Sequence, residues 1–307
     1  EEGLLVFDTT CFYAESGGQI GDSGVISCDG FEFSVLDVKK TSGGVFTHIG
    51  TVTNGSVSVN DSVKVSYDVN KRNAIRRNHT AAHLLQAALR NVLGTHVEQA
   101  GQLVTEKAVR FDFTHFSALT NEELKAVENF VNNAILNALT VENTEMPIED
   151  AKKLGAMALF GEKYGDVVRV VNASGVSIEF CGGTHVDNTS KIGLFHINSE
   201  SSVAAGVRRI EAVTGDGVLS VIENYINLVT ETAEALKSAN VNDIAKRSNA
   251  VMSELKETQK ALQKAEAQIA NAKLGSIFDG AVNINGIRVV AKELKNKKKA
   301  GIPHRLC

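Results

Sequence analysis

The segment HTAAH at residues 79–83 places two imidazoles four residues apart. On an α-helix, residues at this spacing project from the same face about one turn apart, so His79 and His83 could bind one metal ion together. A pair of histidines that merely shares a solvated helix face is the other interpretation of this segment taken alone. The spacing therefore predicts half of a metal site, which needs further ligands from elsewhere in the chain.

A second pair of metal-ligand residue types lies about a hundred residues later, in IEFCGGTHVDN, where Cys181 and His185 flank a Gly-Gly pair. The two glycines allow the chain to fold back, so that thiolate and imidazole can converge. Taken alone, Cys181 could equally be a small buried apolar residue next to Phe180. Three imidazoles and one thiolate are donors that zinc prefers in a tetrahedral site. The two motifs together predict one Zn²⁺ ion held by His79, His83, Cys181 and His185.

A helix and a strand-turn unit must position these residues. AIRRNHTAAHLLQAALRNVL has no Pro or Gly before Gly94 and repeats apolar residues at steps of three and four, which predicts a helix. The apolar run before Cys181 predicts a short strand, and QLVTEKAVRFDFTHF resembles a hairpin. In TNEELKAVENFVNNAILNAL, Thr120 and Glu123 form a capping-box pattern that predicts the start of a second helix.

The fold class predicted for the whole chain is α+β, in four regions. Residues 1–70 alternate β-branched and aromatic segments with Gly, Asn and Asp turns, which predicts a small β-barrel domain. Residues 71–213 mix helices and strands and form the predicted α+β metal-binding domain. Residues 214–275 repeat apolar residues at steps of three and four around SANVND, which predicts a helical hairpin or coiled-coil arm, or a long helix that pairs with another chain. Residues 276–307 begin a strand-rich unit too short to bury a core.

Composition restricts the class of protein. With 307 residues and 43% hydrophobic content, the chain can bury a substantial core. It has no apolar run long enough to span a membrane and no signal-peptide pattern at its N-terminus. The four cysteines show no disulfide-scaffold spacing, so a cytoplasmic location is predicted. The initial Glu, in place of Met, and the short last region favour a piece of a longer protein.

The net charge of −4 excludes a global electrostatic footprint for nucleic acid, so any RNA contact must come from local basic patches. One patch leads directly into the HTAAH helix and contains Lys71, Arg72, Arg76 and Arg77. The other lies near the C-terminus and contains Lys295, Lys297, Lys298 and Lys299, for which a solvated surface is the preferred interpretation.

Several segments resemble the editing region of alanyl-tRNA synthetases and their freestanding relatives. They are TCFYAESGGQIGDSG at 10–24, HTAAHLL at 79–85, GEKYGDVVRV at 161–170, CGGTHV at 181–186 and AAGVRRIEAVTG at 204–215. Threonyl-tRNA synthetase editing domains use a similar pair of His/Cys motifs, but the FYAESGGQ block is similar to the alanyl family. The resemblance extends over nearly the whole chain to about residue 273.

The resemblance implies hydrolysis of the ester that joins a wrong amino acid, serine or glycine, to the terminal adenosine of alanine tRNA. It implies the same four zinc ligands, and it makes the acceptor end of that tRNA the expected partner. ATP is expected only for an aminoacylation domain, which these residues lack. A homodimer through the helical arm or a missing C-terminal domain is a further expectation.

The resemblance also implies roles for individual residues. Gln99 matches a glutamine that lines the editing pocket, and Thr10 matches a threonine proposed to sense the serine hydroxyl; both are therefore expected in the catalytic site. For substrate binding, Gly17 and Gly18 are expected to allow close backbone approach to the tRNA end, and Arg76 and Arg77 to contact it. A β-turn at the two glycines, a strand position for Thr10 and a solvated loop position for Gln99 are the alternative interpretations.

Four protein ligands fill a tetrahedral site and leave no position for water, so the motifs leave open whether zinc acts in catalysis or supports the structure. The preferred interpretation is that zinc orients the substrate and its water. Two alternatives remain: a freestanding editor that acts on tRNA released by another enzyme, and a zinc-dependent tRNA-binding module without catalysis. A zinc peptidase is disfavoured because the HExxH glutamate is missing, and Thr80 and Ala81 occupy the relevant turn.

Overall fold

A computed structural model describes residues 2–157, 164–275 and 279–291. The C-terminal lysine cluster and the first three residues of GEKYGDVVRV lie outside the described residues. The chain divides into two compact units, Glu1–Asn224 and Tyr225–Cys307. The mixed α+β class is confirmed, since three antiparallel sheets and three helices lie within the first unit.

The first sheet has five antiparallel strands in the order β1-β4-β3-β2-β5. Its strands are β1 (Glu2–Leu5), β2 (Gly24–Cys28), β3 (Phe31–Lys40), β4 (Phe46–Asn54) and β5 (Lys64–Tyr67). The predicted strands are present, but the predicted barrel is wrong: among the described residues, β1 pairs only with β4 and β5 only with β2, so the sheet is open. Phe12 and Ala14, which precede β2, pack into the core of this sheet and cover apolar surface that closure would otherwise bury.

Helix α1 (Val69–Leu93), which carries His79 and His83, has Asp68 as its N-cap, whose side chain accepts a hydrogen bond from the Lys71 backbone N–H. Helix α2 (Asn121–Leu136) has the predicted capping box between Thr120 and Glu123. Both helices share one apolar core with a four-stranded antiparallel sheet in the order β11-β12-β7-β6. These strands are β6 (Gln99–Val104), β7 (Val109–Thr114), β11 (Phe195–Ala204) and β12 (Val207–Thr214), and the predicted β6–β7 hairpin is confirmed.

A third sheet positions the second pair of candidate metal ligands. It contains β8 (Val141–Pro147), β9 (Val167–Ala173) and β10 (Ser177–Phe180) in the order β10-β9-β8, with the short helix α3 (Ile148–Lys153) after β8. Ala151, Val168, Val170 and Phe180 form its small core. Because β10 ends at Phe180, Cys181 is the first residue of the following turn.

A buried ion pair joins the segment before β2 to the start of α1. Arg72 donates hydrogen bonds to both oxygens of Asp22 and to the Cys11 carbonyl, and its guanidinium lies 4.0 Å from the Tyr67 ring centroid. The Asp22 carboxylate also accepts the Tyr13 backbone N–H. This ion pair fixes the segment before β2 against helix α1.

The remaining helices are α4 (Asp216–Ala235) and α5 (Ile244–Gly275), and a two-stranded hairpin follows, formed by β13 (Val282–Ile284) and β14 (Ile287–Val289). Helices form at both predicted repeats, and SANVND lies between them. Several apolar residues of the repeats are exposed: Leu219, Ile222, Ile226, Leu255, Leu262 and Ile269. No helix among the described residues is both long enough and apolar enough to cross a membrane.

Candidate metal centre

The four predicted metal ligands meet at one point. His79, His83, Cys181 and His185 each offer one ligand atom, and these atoms lie within 4.8 Å of one another. The Cys181 Sγ atom lies 3.4 Å from His79 Nε2 and 3.3 Å from His185 Nε2. The three histidines are buried, and Cys181 is partly exposed. The two motifs therefore form one cluster, although about a hundred residues separate them in the chain.

The turn after β10 is held tightly against α1. Gly183 packs directly on the His79 imidazole, and a Cβ atom at this position would overlap the ring. Arg169 of β9 donates hydrogen bonds from Nη1 to the Cys181 carbonyl (2.8 Å) and to the Gly183 carbonyl (2.7 Å). Its backbone carbonyl also accepts the Cys181 N–H. Glycine at 183 thus permits the close approach, and Arg169 fixes the turn that carries the thiol.

The electrostatics of the cluster favour a thiolate. Burial alone would raise the pKa of Cys181, but the imidazoles of His79, His83 and His185 outweigh it and hold that pKa well below 9.0. Burial, with a contribution from His79, lowers the pKa of His185 to about 3. Burial also acts to lower the pKa of His83, but the Glu179 carboxylate and Cys181 raise it to about 9. A thiolate and a neutral His185 are the forms that bind a metal ion.

These residues fit a metal ion. His83 Nδ1 is buried and has no hydrogen-bond partner among the described residues, as expected of a nitrogen whose partner is missing. Its Nε2 lies 3.8 Å from Glu179 Oε2, and the Ser177 hydroxyl donates to the other carboxylate oxygen at 2.7 Å. One thiolate and three imidazoles suit a borderline-soft divalent cation better than Mg²⁺ or Ca²⁺.

A cavity of about 290 Å³ opens beside the cluster. His79, His83 and Cys181 line one part of it, and residues from four other segments line the rest, among them Tyr13, Gly17, Gln99, Tyr164, Arg169 and Glu179. The Gln99 amide has no side-chain hydrogen bond among the described residues. The cavity therefore places the Gln99 amide and other polar side chains next to the candidate metal ligands.

A second cavity, of about 430 Å³, lies against His185. Arg76, Arg77, Asn73 and Lys191 line it, together with Asp187, which forms an ion pair with Lys191. The Nε atoms of Arg76 and Arg77 are buried and lack a hydrogen-bond acceptor in the described part of the chain. Arg77 also lies 3.6 Å from the exposed Asp216 carboxylate. This cavity has the positive charge expected of an anion site.

The other predicted site residues occupy three environments. Gln99 and Gly17 line the first cavity, and Arg76 and Arg77 line the second. Gly18 lies behind Gly17, packed on Gln102, with no room for a Cβ atom.

Thr10, like Gly18, lines neither of these two cavities. Its hydroxyl lies 2.8 Å from His48 Nε2 in the first sheet and accepts the Phe12 backbone N–H. A role in sensing serine requires this hydroxyl to leave His48, and that role stays a prediction.

Tyr13, Arg169 and Glu179 line the cavity but were missed in the sequence. Each lies inside or beside a segment that carried the resemblance: Tyr13 in FYAESGG, Arg169 in GDVVRV and Glu179 two residues before Cys181. Only the position of these three residues within or beside those segments could have indicated a role at the site. Neither their residue type nor their spacing relates them to the candidate metal ligands.

Comparison with known proteins gives two family matches. Residues 1–71 match the family described as tRNA synthetases class II (A), and residues 168–211 match the threonyl and alanyl tRNA synthetase second additional domain. The second match contains Arg169, Cys181 and His185, and therefore half of the candidate metal ligands.

The similar curated proteins are alanine-tRNA ligases. Identity is 49% for the protein of Acetivibrio thermocellus over 93% of this chain, 48% for that of Exiguobacterium sibiricum over 96%, and 46% for that of Bacillus velezensis over 95%. The chain spans only about a third of the length of these relatives, since the aligned region is 32–33% of each. From both family matches and from this identity along nearly all of its length, the chain belongs to the alanyl-tRNA synthetase family.

Proposed function

We propose that this chain hydrolyses the ester bond between wrongly attached serine or glycine and the terminal adenosine of alanine tRNA, as the editing region of an alanine-tRNA ligase. The observation that carries the proposal is the position of the His79, His83, Cys181 and His185 cluster, which opens onto a polar cavity. ATP would serve only an aminoacylation step, for which we assign no residue of this chain.

Such an activity is needed because a binding pocket can select alanine over glycine and serine only to a limited extent. A pocket shaped for the methyl group of alanine cannot strongly reject glycine, and it rejects the added hydroxyl of serine only modestly. Discrimination by binding alone is then limited to about 10–200-fold, so a second site that inspects the product is needed.

The proposed cofactor is one Zn²⁺ ion held by the four clustered residues. When bound, zinc supplies positive charge that can polarise an ester carbonyl or a water molecule. Gln99 is proposed to orient the ester within the cavity, since a carboxamide can both donate and accept hydrogen bonds. Gly17 is proposed to let the substrate approach the backbone, and Gly18 to maintain the turn that presents Gly17.

Arg76 and Arg77 are proposed to hold the RNA backbone near the acceptor end. Their guanidinium groups and the positive charge of their cavity match a phosphodiester group. His185 lines this cavity, while His79, His83 and Cys181 line the other. In this arrangement, the ester occupies the first cavity while a nearby phosphate occupies the second.

Replacement of the metal-binding thiol tests the proposal. We expect Cys181→Ala to lose zinc and to slow the deacylation of alanine tRNA charged with serine by more than about 100-fold. Cys28→Ala is the matched control, because Cys28 packs on the core of the first sheet and should keep both zinc and activity. If Cys181→Ala lost its zinc yet kept full activity, zinc would have no role in the reaction.

A non-catalytic tRNA-binding module is the second candidate, and the Arg76 and Arg77 cavity is the observation that favours it. The two functions differ in turnover. An editing enzyme releases free serine from mischarged tRNA in many-fold excess over protein, whereas a binding module would slow the spontaneous hydrolysis of the ester. The same assay without an added ligase tests whether the chain acts as a freestanding editor.

The exposed apolar residues of α4 and α5 support a proposal that these helices pair with a second copy of the chain. Sedimentation velocity over a range of concentrations tests it. A chain that stays monomeric at every concentration would contradict the pairing.

A further inference from the structure

Gln19 is a fully buried side chain that joins the two halves of the metal centre. It lies before β2, 60 residues from His79 and 165 residues from Thr184 in the Cys181–His185 turn. Its Oε1 atom lies 2.8 Å from His79 Nδ1 and 2.8 Å from the Thr184 backbone nitrogen, and its Nε2 atom lies 3.0 Å from the Thr184 hydroxyl. One side-chain amide thus contacts both ligand-bearing segments.

We propose that Gln19 is a positioning residue that sets the tautomer and orientation of His79 for metal binding. The proposal rests on the metal site of the proposed function. It adds to the four ligands a residue from the N-terminal segment, which touches no reacting atom and acts through His79.

The backbone fixes the orientation of the Gln19 amide. The Thr184 N–H can only donate, so the amide atom 2.8 Å from it must be an acceptor, which identifies it as the carbonyl oxygen. An amide nitrogen at this position would face a second donor. The terminal oxygen and nitrogen of Gln19 are therefore assigned by the hydrogen bonds around them.

This orientation in turn fixes the tautomer of His79. Since Gln19 Oε1 can only accept, the Nδ1 atom of His79 at 2.8 Å must carry the ring hydrogen. The lone pair then resides on Nε2, the nitrogen that lies 3.4 Å from Cys181 Sγ. A metal ligand needs that lone pair, so Gln19 presents His79 in the binding-competent form.

Thr80 orients the His185 ring in the same way that Gln19 orients the His79 ring. The Thr80 hydroxyl donates to the Arg76 carbonyl at 2.9 Å, so it can only accept from His185 Nδ1 at 3.2 Å. The Nε2 atom of His185 then faces Cys181 Sγ at 3.3 Å. Two of the three imidazoles are thus oriented by a neighbour before any ion binds, and in the case of His79 that neighbour comes from a remote segment.

A tight turn at residues 16–19 positions the Gln19 side chain. Gly17 and Gly18 both have positive φ, 56° and 79°, as the central residues of a type I′ turn closed by hydrogen bonds between Ser16 and Gln19. Val104 of β6 donates its N–H to the Gly18 carbonyl at 2.7 Å. The two glycines therefore have a structural role in placing Gln19, besides any contact with substrate.

The test measures zinc affinity of the full chain by competition with a chromophoric chelator. We expect Gln19→Met, which keeps the volume but loses the acceptor, to weaken zinc binding by about 10–100-fold. Gln19→Glu keeps an oxygen for His79 Nδ1 and for the Thr184 N–H, so its affinity should stay within about threefold of that of the parent chain. Gln86→Met is the matched control. It removes a buried amide from α1, the helix that carries His79. The Oε1 atom of Gln86 has no partner among the described residues, so this change should have little effect on zinc affinity.

Cobalt(II) substitution gives a second readout, because the thiolate-to-cobalt absorption band and the d–d bands report the ligand set. We expect altered d–d bands in Gln19→Met and parent-like bands in Gln19→Glu. Equal zinc affinity in the parent chain and Gln19→Met would overturn the inference, as would an equal loss in Gln19→Met and Gln19→Glu. A parent chain that binds no zinc would instead contradict the metal site of the proposed function, so the two failures are distinguishable.

Discussion

Replacing Arg72 by Met is expected to lower the free energy of unfolding of the first compact unit by about 3–5 kcal/mol. Arg72 forms a buried ion pair with Asp22, in which the side chain of Arg72 is 7% exposed and that of Asp22 is 1% exposed. Methionine retains part of the apolar stem but removes the donors at 2.8 and 3.0 Å from the carboxylate. Asp22 then keeps only the Tyr13 backbone N–H as a donor among the described residues, so a buried charge is left without its counter-charge.

Urea denaturation followed by far-ultraviolet circular dichroism measures this loss. Arg209→Met is the control, because the Arg209–Asp112 pair is more exposed, at 25% and 17%, and should contribute less. Arg72→Lys is expected to recover only part of the stability, since an ammonium group cannot reproduce the planar contacts with Asp22 and Tyr67. A loss below about 1 kcal/mol for Arg72→Met, or one equal to that of Arg209→Met, would refute the reasoning.

Three further predictions follow from the contacts already described. Gly183→Ala is expected to weaken zinc binding more than about 100-fold in the chelator competition, because its Cβ would displace the His79 ring and metal–ligand distances tolerate only about 0.2 Å. Gly182→Ala, whose Cβ meets nothing within 4 Å, should leave that affinity unchanged. Burial lowers the pKa of His48 below 6.5, so the unfolded chain binds this proton more readily. Stability should then fall as the pH drops below about 6.5, and His48→Gln should flatten that slope in thermal unfolding. Arg76→Gln is expected to weaken tRNA binding and to reduce the salt dependence of log K by about one unit of slope.

Each of the two pairs of candidate metal ligands, and the helices, could be predicted from sequence because both depend on local spacing. His79 and His83 share a helix face at any i, i+4 spacing, and the capping box at Thr120 involves residues only three apart. Sheet closure is different, since it depends on whether two edge strands far apart in the chain meet. That dependence explains why the β-rich character of residues 1–70 was predicted correctly and the barrel was not.

The remaining parts of the site depend on contacts between remote segments. Arg169 reaches the carbonyls of Cys181 and Gly183 across a strand pair, and Gln19 contacts a residue 165 positions away. Thr10 finds its partner, His48, 38 residues later, which a motif confined to DTTCFY does not contain. No periodicity or spacing rule encodes such pairs, because only the complete fold brings their side chains together.

The convergence of segments around residues 19, 79–83 and 181–185 has a thermodynamic consequence for the first compact unit. An ion held by residues 79–83 and 181–185 would tie two stretches of chain that have no such proximity once unfolded, and would act as a reversible cross-link. By mass action, free zinc at a hundred times its dissociation constant would add about 2.7 kcal/mol to the folding free energy. The melting temperature of this unit should therefore rise with the zinc concentration and fall when a chelator is added.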